Sequence, residues 1–279
     1  MTEKKGWMLK LATIDPRVIF LLLFICVGVP LLSPLGLPVG ISPGTSGMYK
    51  FIEGLPSGSV VVSAFDMSAA VAPECYPQVA AFTTHLKNKN LKIVEVAFDS
   101  AGPMFADQAL KDVFGASKDH QLYGKNFVNL GYIAGGEAAM RSFAANPKMI
   151  QKDFYGKEIK DLEIMQPLSS AKEFKLMIVI TGSQVDNFVR QFGDPYGVPI
   201  AGAVTAVLVT RVMPFYPAKV IGYLNGLRGA AEYELLVKRP GIALAGMDAQ
   251  SAAHLLVIIF VIVGNAGYMV RKSRRPQLK

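Results

Sequence analysis

Three acids stand where short apolar runs give way to turn-forming sequence: Asp66 in AFDMS, Asp99 in AFDSAGP and Glu137 in GYIAGGE. A carboxylate so placed can hold a cation, orient a hydroxylated ligand or act as a general base. Gly135 and Gly136 come just before Glu137, and backbone N–H groups at a helix start can cradle an anion. Thr181 and Ser183, in TGSQ, add two hydroxyls after a further apolar run. Asp66, Asp99, Gly135, Gly136, Thr181 and Ser183 are therefore the candidate ligand-binding residues, and Asp66, Asp99 and Glu137 the candidates for catalysis. Each has a purely structural counterpart. An Asp after a strand caps turns, Ser183 with Asp186 has capping-box-like spacing, and a Glu in the first turn of a helix complements its dipole.

Other chemistries find little footing. The GYIAGGE turn lacks the G-x-G-x-x-G spacing of a dinucleotide site, and no P-loop, H-E-x-x-H, C-x-x-C or G-x-S-x-G pattern occurs, so no cofactor is expected. Three histidines, His85, His120 and His254, have no metal-ligand spacing, and no metal is expected. Cys75 lacks an identifiable base, since His85 lies some three turns along the same expected helix. Cys26 sits in an apolar segment, which leaves Cys75 without an intramolecular disulfide partner.

The elements that would position these residues alternate in type. Near-continuous apolar runs, SVVVSAF (59–65), LKIVEVAF (91–98), NFVNLGY (126–132), LMIVIT (176–181) and PIAGAVTAVLV (199–209), read as strands covered on both faces. Helices are expected between them at 76–88, 104–114, 136–145 and 184–192. A β-α-β order of this kind predicts an α/β class domain with a Rossmann-like or flavodoxin-like parallel sheet. Ligands of such sheets bind outside the carboxyl ends of the strands, the rim to which all the candidate residues map. The polar stretch 146–175 is expected to form a small hairpin or irregular flap. Residues 198–227 are apolar enough to resemble a membrane span, but Arg211, Pro199, Pro214 and Pro217 interrupt them. A fifth strand followed by a helix over 217–237 is the preferred reading.

Two apolar segments flank this domain, VIFLLLFICVGVPLLSPL (18–35) and HLLVIIFVIVGNAGYMV (254–270), each close to the roughly 20 residues needed to span a hydrocarbon core. Lys4, Lys5, Lys10 and Arg17 precede the first, and Arg271, Lys272, Arg274, Arg275 and Lys279 follow the second. By the positive-inside rule both ends are expected in the cytoplasm and the domain outside the cell membrane's cytoplasmic face. The N-terminal segment is expected to be retained rather than cleaved, with Pro30 and Pro34 bending or ending its helix. The expected organisation is a basic tail (1–17), transmembrane helix (18–35), linker (36–58), extracytoplasmic α/β domain (59–240), linker (241–251), transmembrane helix (252–270) and basic tail (271–279). Asp248 and Ser251 are the expected N-caps of the second span.

Those nine tail cations account for the composition. The chain has 29 Lys and Arg against 21 Asp and Glu, a net charge of +8, yet residues 18–270 carry only 20 cations and 19 acids. The basic balance therefore reports topology, and nucleic acid is not an expected partner. Gly264, Asn265 and Gly267 in the second span suit close helix pairing, which points to other membrane subunits or a homo-oligomer as partners beside the lipid bilayer. The leading expectation is a membrane-anchored, non-catalytic interaction or ligand-binding subunit of an envelope complex. The alternative is a membrane-anchored hydrolase or transferase acting on an envelope substrate at the sheet rim.

Overall fold

The computed structural model describes residues 15–115 and 118–273. The expected tail cations Lys4, Lys5, Lys10, Arg274, Arg275 and Lys279 lie outside the described residues. In chain order the helices are α1 (Pro16–Leu32), α2 (Pro43–Glu53), α3 (Ala72–Asn88), α4 (Gly102–Phe114) and α5 (Gly136–Ala145). They continue with α6, made of Asp186–Phe188, a π-turn at Val189–Gly193 and Asp194–Tyr196, then α7 (Gly226–Leu236) and α8 (Ile242–Ser273). The strands are β1 (Val60–Asp66), β2 (Lys92–Ala97), β3 (Phe127–Tyr132), β4 (Leu176–Thr181), β5 (Ile200–Val204) and β6 (Val220–Asn225). All six pair in parallel in the order β3-β2-β1-β4-β5-β6. This is a Rossmann-like sheet, with the strand order reversing between β1 and β4, and it excludes the flavodoxin-like order.

Alternate residues of a strand face opposite sides, and β2 shows what each side meets. Phe98, just past its end, contacts Phe143 of α5 and Phe188 of α6. On the other side α3 and α4 are joined by Tyr76 Oη donating to Asp112 and by Lys87 Nζ donating to the Val113 carbonyl. Helix α7 packs beside α3. With both faces covered, β1 to β5 are almost wholly buried, which is why they read as unbroken apolar runs.

Several expectations are corrected. The expected helix over 217–237 is β6 followed by α7, because VIGYLN alternates buried and half-buried residues with period two. The fifth strand ends at Val204 instead of 209, and short helical turns at Ala206–Leu208, Val209–Val212 and Met213–Phe215 follow it. The glycine-rich stretch read as a linker contains α2. Its glycines serve contact: a Cβ on Gly222 of β6 would lie 2.2 Å from the Met48 nitrogen, and one on Gly47 would lie 2.7 Å from the Ile221 carbonyl oxygen. Helix α2 thus lies directly on the β6 backbone. Residues 146–175 form an irregular excursion of 3-10 turns with one isolated bridge between Lys152 and Glu158.

The chain divides into two compact units, Val39–Ala243 and Met1–Pro38 with Leu244–Lys279. The 28 residues Ile242–Met269 of α8, all but the first two of which belong to the latter, form the one described helix long and apolar enough to cross a membrane. Helix α1, with Asp15 as N-cap and Pro30 inside, has 17 residues and at 1.5 Å per residue reaches only about 26 Å. Asp248 and Ser251 are not N-caps, since α8 begins at Ile242. Asp248 is buried and instead accepts from the backbone N–H groups of Gly36 (2.9 Å) and Leu37 (3.2 Å).

Because the space above Gly222 is filled by backbone, Gly222→Ala is expected to destabilise the protein by about 3 kcal/mol. Gly54→Ala, whose Cβ would meet only ordinary contacts at 3.5 Å and whose φ is −76°, is expected to change stability by less than about 1 kcal/mol. Chemical denaturation of the two variants in detergent, followed by circular dichroism, checks the contrast.

Candidate functional site

Asp66 ends β1 and stands in register with Thr181 at the end of β4, the two strands between which the sheet order reverses. The Thr181 hydroxyl donates to Asp66 Oδ2 at 2.9 Å and the Ser183 hydroxyl donates to the same oxygen at 3.3 Å. Thr181 Oγ1 also accepts from the backbone N–H groups of Ser183 and Gln184, which fixes the turn. Partial burial raises the Asp66 pKa above the ordinary aspartate value, and the nearby Asp99 charge adds to this while the two hydroxyls oppose it. Asp66, Thr181 and Ser183 therefore form one hydrogen-bonded cluster at the switch point, with Asp99 as an electrostatic neighbour.

The other nominated residues are engaged elsewhere. Asp99 Oδ1 accepts from the Ala101 N–H at 2.8 Å, a turn-forming bond that leads into α4. Gly135 and Gly136 have φ of 122° and 56° and begin α5 beyond β3, on the far side of β2 from Asp66. Glu137 accepts from Gln191 Nε2 at 2.8 Å and from Arg190 Nε at 3.4 Å, so it ties α5 to α6. Asn265, in α8, donates to the Val261 carbonyl of its own helix at 2.9 Å, and a Cβ on Gly264 would meet nothing within 4 Å.

Packing over the strand ends is tight. A Cβ on Gly182 would lie 2.5 Å from Val71 Cγ1, and one on Gly102 would lie 2.8 Å from the Phe65 carbonyl oxygen. The segment from Met67 to Val71, which follows β1, contains no glycine, and Met67 is buried. A dinucleotide fold uses glycine at this turn to bring the pyrophosphate against the backbone; here Val71 rests on Gly182 in the corresponding place. No protein-family model matches the chain, and no curated protein matches its sequence. The chemistry of the rim therefore has to be read from its own residues.

Burial pushes the Cys75 thiol up to about 12, with the Glu74 charge adding to the shift, so it is a poor nucleophile near neutral pH. No group of three or more His, Cys, Asp or Glu residues is placed to hold a metal among the described residues. A cavity of about 270 Å³ lies between α3 and the turn from α7 to α8, bordered by Tyr76, Thr84, Asp112 and Arg239. None of the nominated rim residues lines it.

Three groups escape the sequence reading. Arg211 Nη1 donates to the Ser183 carbonyl at 3.3 Å, which brings a cation to the Asp66 cluster. Glu74 Oε2 accepts from the Ala206 N–H at 2.9 Å and holds the segment after β5 against α3. The third is Glu95, in the middle of β2. It is wholly buried in register with Ser63 of β1 and Asn129 of β3, and neither of its carboxyl oxygens has a hydrogen-bond partner. A charged residue inside the apolar run LKIVEVAF was the visible signal for it.

Burial pushes the Glu95 pKa well above the ordinary glutamate value of about 4.5, with Asp107 contributing, so the fold favours the protonated carboxyl. A raised folded-state pKa contributes stability that is fully present below about pH 4.5 and is lost as pH rises through the folded value. Relative to Glu95→Gln, the native protein should lose up to about 1.4 kcal/mol per pH unit across that window. Denaturation midpoints of both proteins between pH 4 and 8 test this, and a pH-independent difference would contradict it.

Proposed function

We propose that the chain is a membrane-anchored subunit whose extracytoplasmic Rossmann-like domain acts by interaction or ligand binding rather than by catalysis. The observation that carries this reading is the state of the three nominated acids. Asp66 is hydrogen-bonded to Thr181 and Ser183, Asp99 to a turn N–H and Glu137 to Gln191 and Arg190. Glu137 stands apart from the other two, Asp99 near Asp66 is engaged in its own turn, no described histidine is paired with the Ser183 hydroxyl, and the usual ligand crevice is narrowed by Val71. The apolar helix Ile242–Met269 and the shorter apolar helix Pro16–Leu32 support anchoring at both ends, and the basic residues beyond them support a cytoplasmic location for both termini. Gly264 and Gly267 support helix pairing with another subunit or a second copy.

Mass spectrometry of the complex purified in mild detergent from its native membrane tests the proposal. Other polypeptides in fixed ratio are the expected result, and a protein that comes out alone, or only with copies of itself, overturns the complex. Asp66→Asn keeps an oxygen that can accept from Thr181 and Ser183, so its stability is expected to change by less than about 1 kcal/mol and its partner recovery to stay the same. Normal assembly with loss of a measurable turnover would instead favour a hydrolase or transferase acting at the rim.

A further inference from the structure

The run AVLVTRVMPF over 206–215 contains a single charged residue, Arg211, and lies on the rim beside the Asp66 cluster. Leu208 and Val212 are buried against the core, whereas Val207 is 83% exposed and Met213 is 50% exposed. Ala206 and Pro214 are exposed as well, and Phe215 and Tyr216 are half-buried. Helical turns of a water-facing loop would carry polar groups at such positions, so this apolar face is left without a partner inside the domain.

Its surroundings identify the partner. Tyr223 Oη donates to Met213 Sδ at 3.3 Å, and the Tyr216 ring meets the Tyr223 ring edge-on with centroids 5.4 Å apart. The same Tyr223 ring lies 2.8 Å from where a Cβ on Gly44 would sit, so the apolar turns stand beside the first turn of α2. Only nine residues, spanned in ten chain steps, separate Leu32, the end of apolar helix α1, from Ser42, the N-cap of α2. Fully extended, they reach no more than about 35 Å. The exposed apolar surface is thus beside the place where a short tether from an apolar helix joins the domain. Arg211 and the aromatic pair Phe215 and Tyr216 flank it, residue types that settle at the boundary between headgroups and acyl chains.

We infer that the segment 206–216 seats in the interface of the phospholipid bilayer, with Val207 and Met213 inserted among acyl chains and Arg211 at headgroup phosphates. This rests on the membrane-anchored reading proposed above. It gives the domain a third point of attachment and sets the Asp66 rim close to the lipid surface.

The full chain reconstituted in phosphatidylcholine vesicles, doped with a phospholipid carrying a photoactivatable diazirine near the headgroup end of its acyl chain, tests the inference. After irradiation, lipid adducts mapped by mass spectrometry are expected on 206–216 as well as on Ile242–Met269. The double variant Val207→Glu, Met213→Glu alters only exposed side chains. It should lower adducts on 206–216 at least tenfold and leave those on Ile242–Met269 unchanged. Adducts on the apolar helices but none on 206–216 would overturn the inference and leave the anchored reading standing. If that same segment were then protected from deuterium exchange, a protein partner would be its occupant. Absence of adducts from both apolar helices would overturn the anchored reading, and the lipid-seated segment with it.

Discussion

Three consecutive residues of α7, Glu232, Tyr233 and Glu234, fasten three other helices, and the arrangement of the domain depends on them. Successive helical residues point about 100° apart, so one turn can address three neighbours. Glu232, 1% exposed, accepts from both the backbone N–H and the hydroxyl of Ser42 and so holds the start of α2. Tyr233, fully buried, lies 2.7 Å from His85 Nδ1 of α3. Glu234 accepts from the N–H groups of Gly241 and Ala243 and so caps the start of α8. Two of the three contacts place a carboxylate at a helix N-terminus, where unpaired N–H groups and the dipole both favour negative charge. The histidine link fixes its own tautomer. Glu53 can only accept, so His85 Nε2 carries the proton at 3.0 Å from it, and Nδ1 accepts from the Tyr233 hydroxyl.

These fastenings explain why α2 tolerates so little between itself and β6. Its N-cap is held by Glu232, and its last turn is held through Glu53 to His85 of α3 and to Lys89 just past the end of α3. Its middle then comes down on Ile221 and Gly222, where only hydrogen atoms fit. A helix fixed at both ends and laid on a strand without intervening side chains has little freedom to rotate. Tyr49 of the same helix accordingly stacks on His85 with centroids 4.7 Å apart. The segment that leads the chain into the domain is therefore as firmly built as the sheet.

The buried strands were legible from sequence because burial on both faces removes polar residues from them. The first four differ from expectation by about one residue at either end, and α5 matches over 136–145. What escaped depends on tertiary context. The glycines of PGTSGMYKFIE read as linker, since nothing local shows that Gly44 and Gly47 answer to Tyr223 and Ile221. Strand β6 was hidden because Gly222 weakens its strand pattern and the apolar residues around it also suit a helix. Asp248 looked like a cap for the opposite reason. It has a capping residue's chemistry, but it serves the N–H groups of Gly36 and Leu37, more than two hundred positions away in sequence. At the rim, sequence placed Asp66, Thr181 and Ser183 correctly at strand ends. It could not show that their hydrogen bonds close on one another or that Arg211 joins them.

That closure bears on what the rim can do. A catalytic carboxylate needs an oxygen directed at the reacting group and a base or acid set against it. Asp66 instead has one oxygen shared by two hydroxyls, and one of those hydroxyls is itself held by two backbone N–H groups. The cluster stiffens the turn after β4, and through the Ser183 carbonyl it also positions Arg211. Arg211 belongs to the same helical turns that expose Val207 and Met213, while Glu74 anchors the first of those turns to α3. The Asp66, Thr181 and Ser183 cluster is thus linked, through Arg211, to the turns that expose Val207 and Met213.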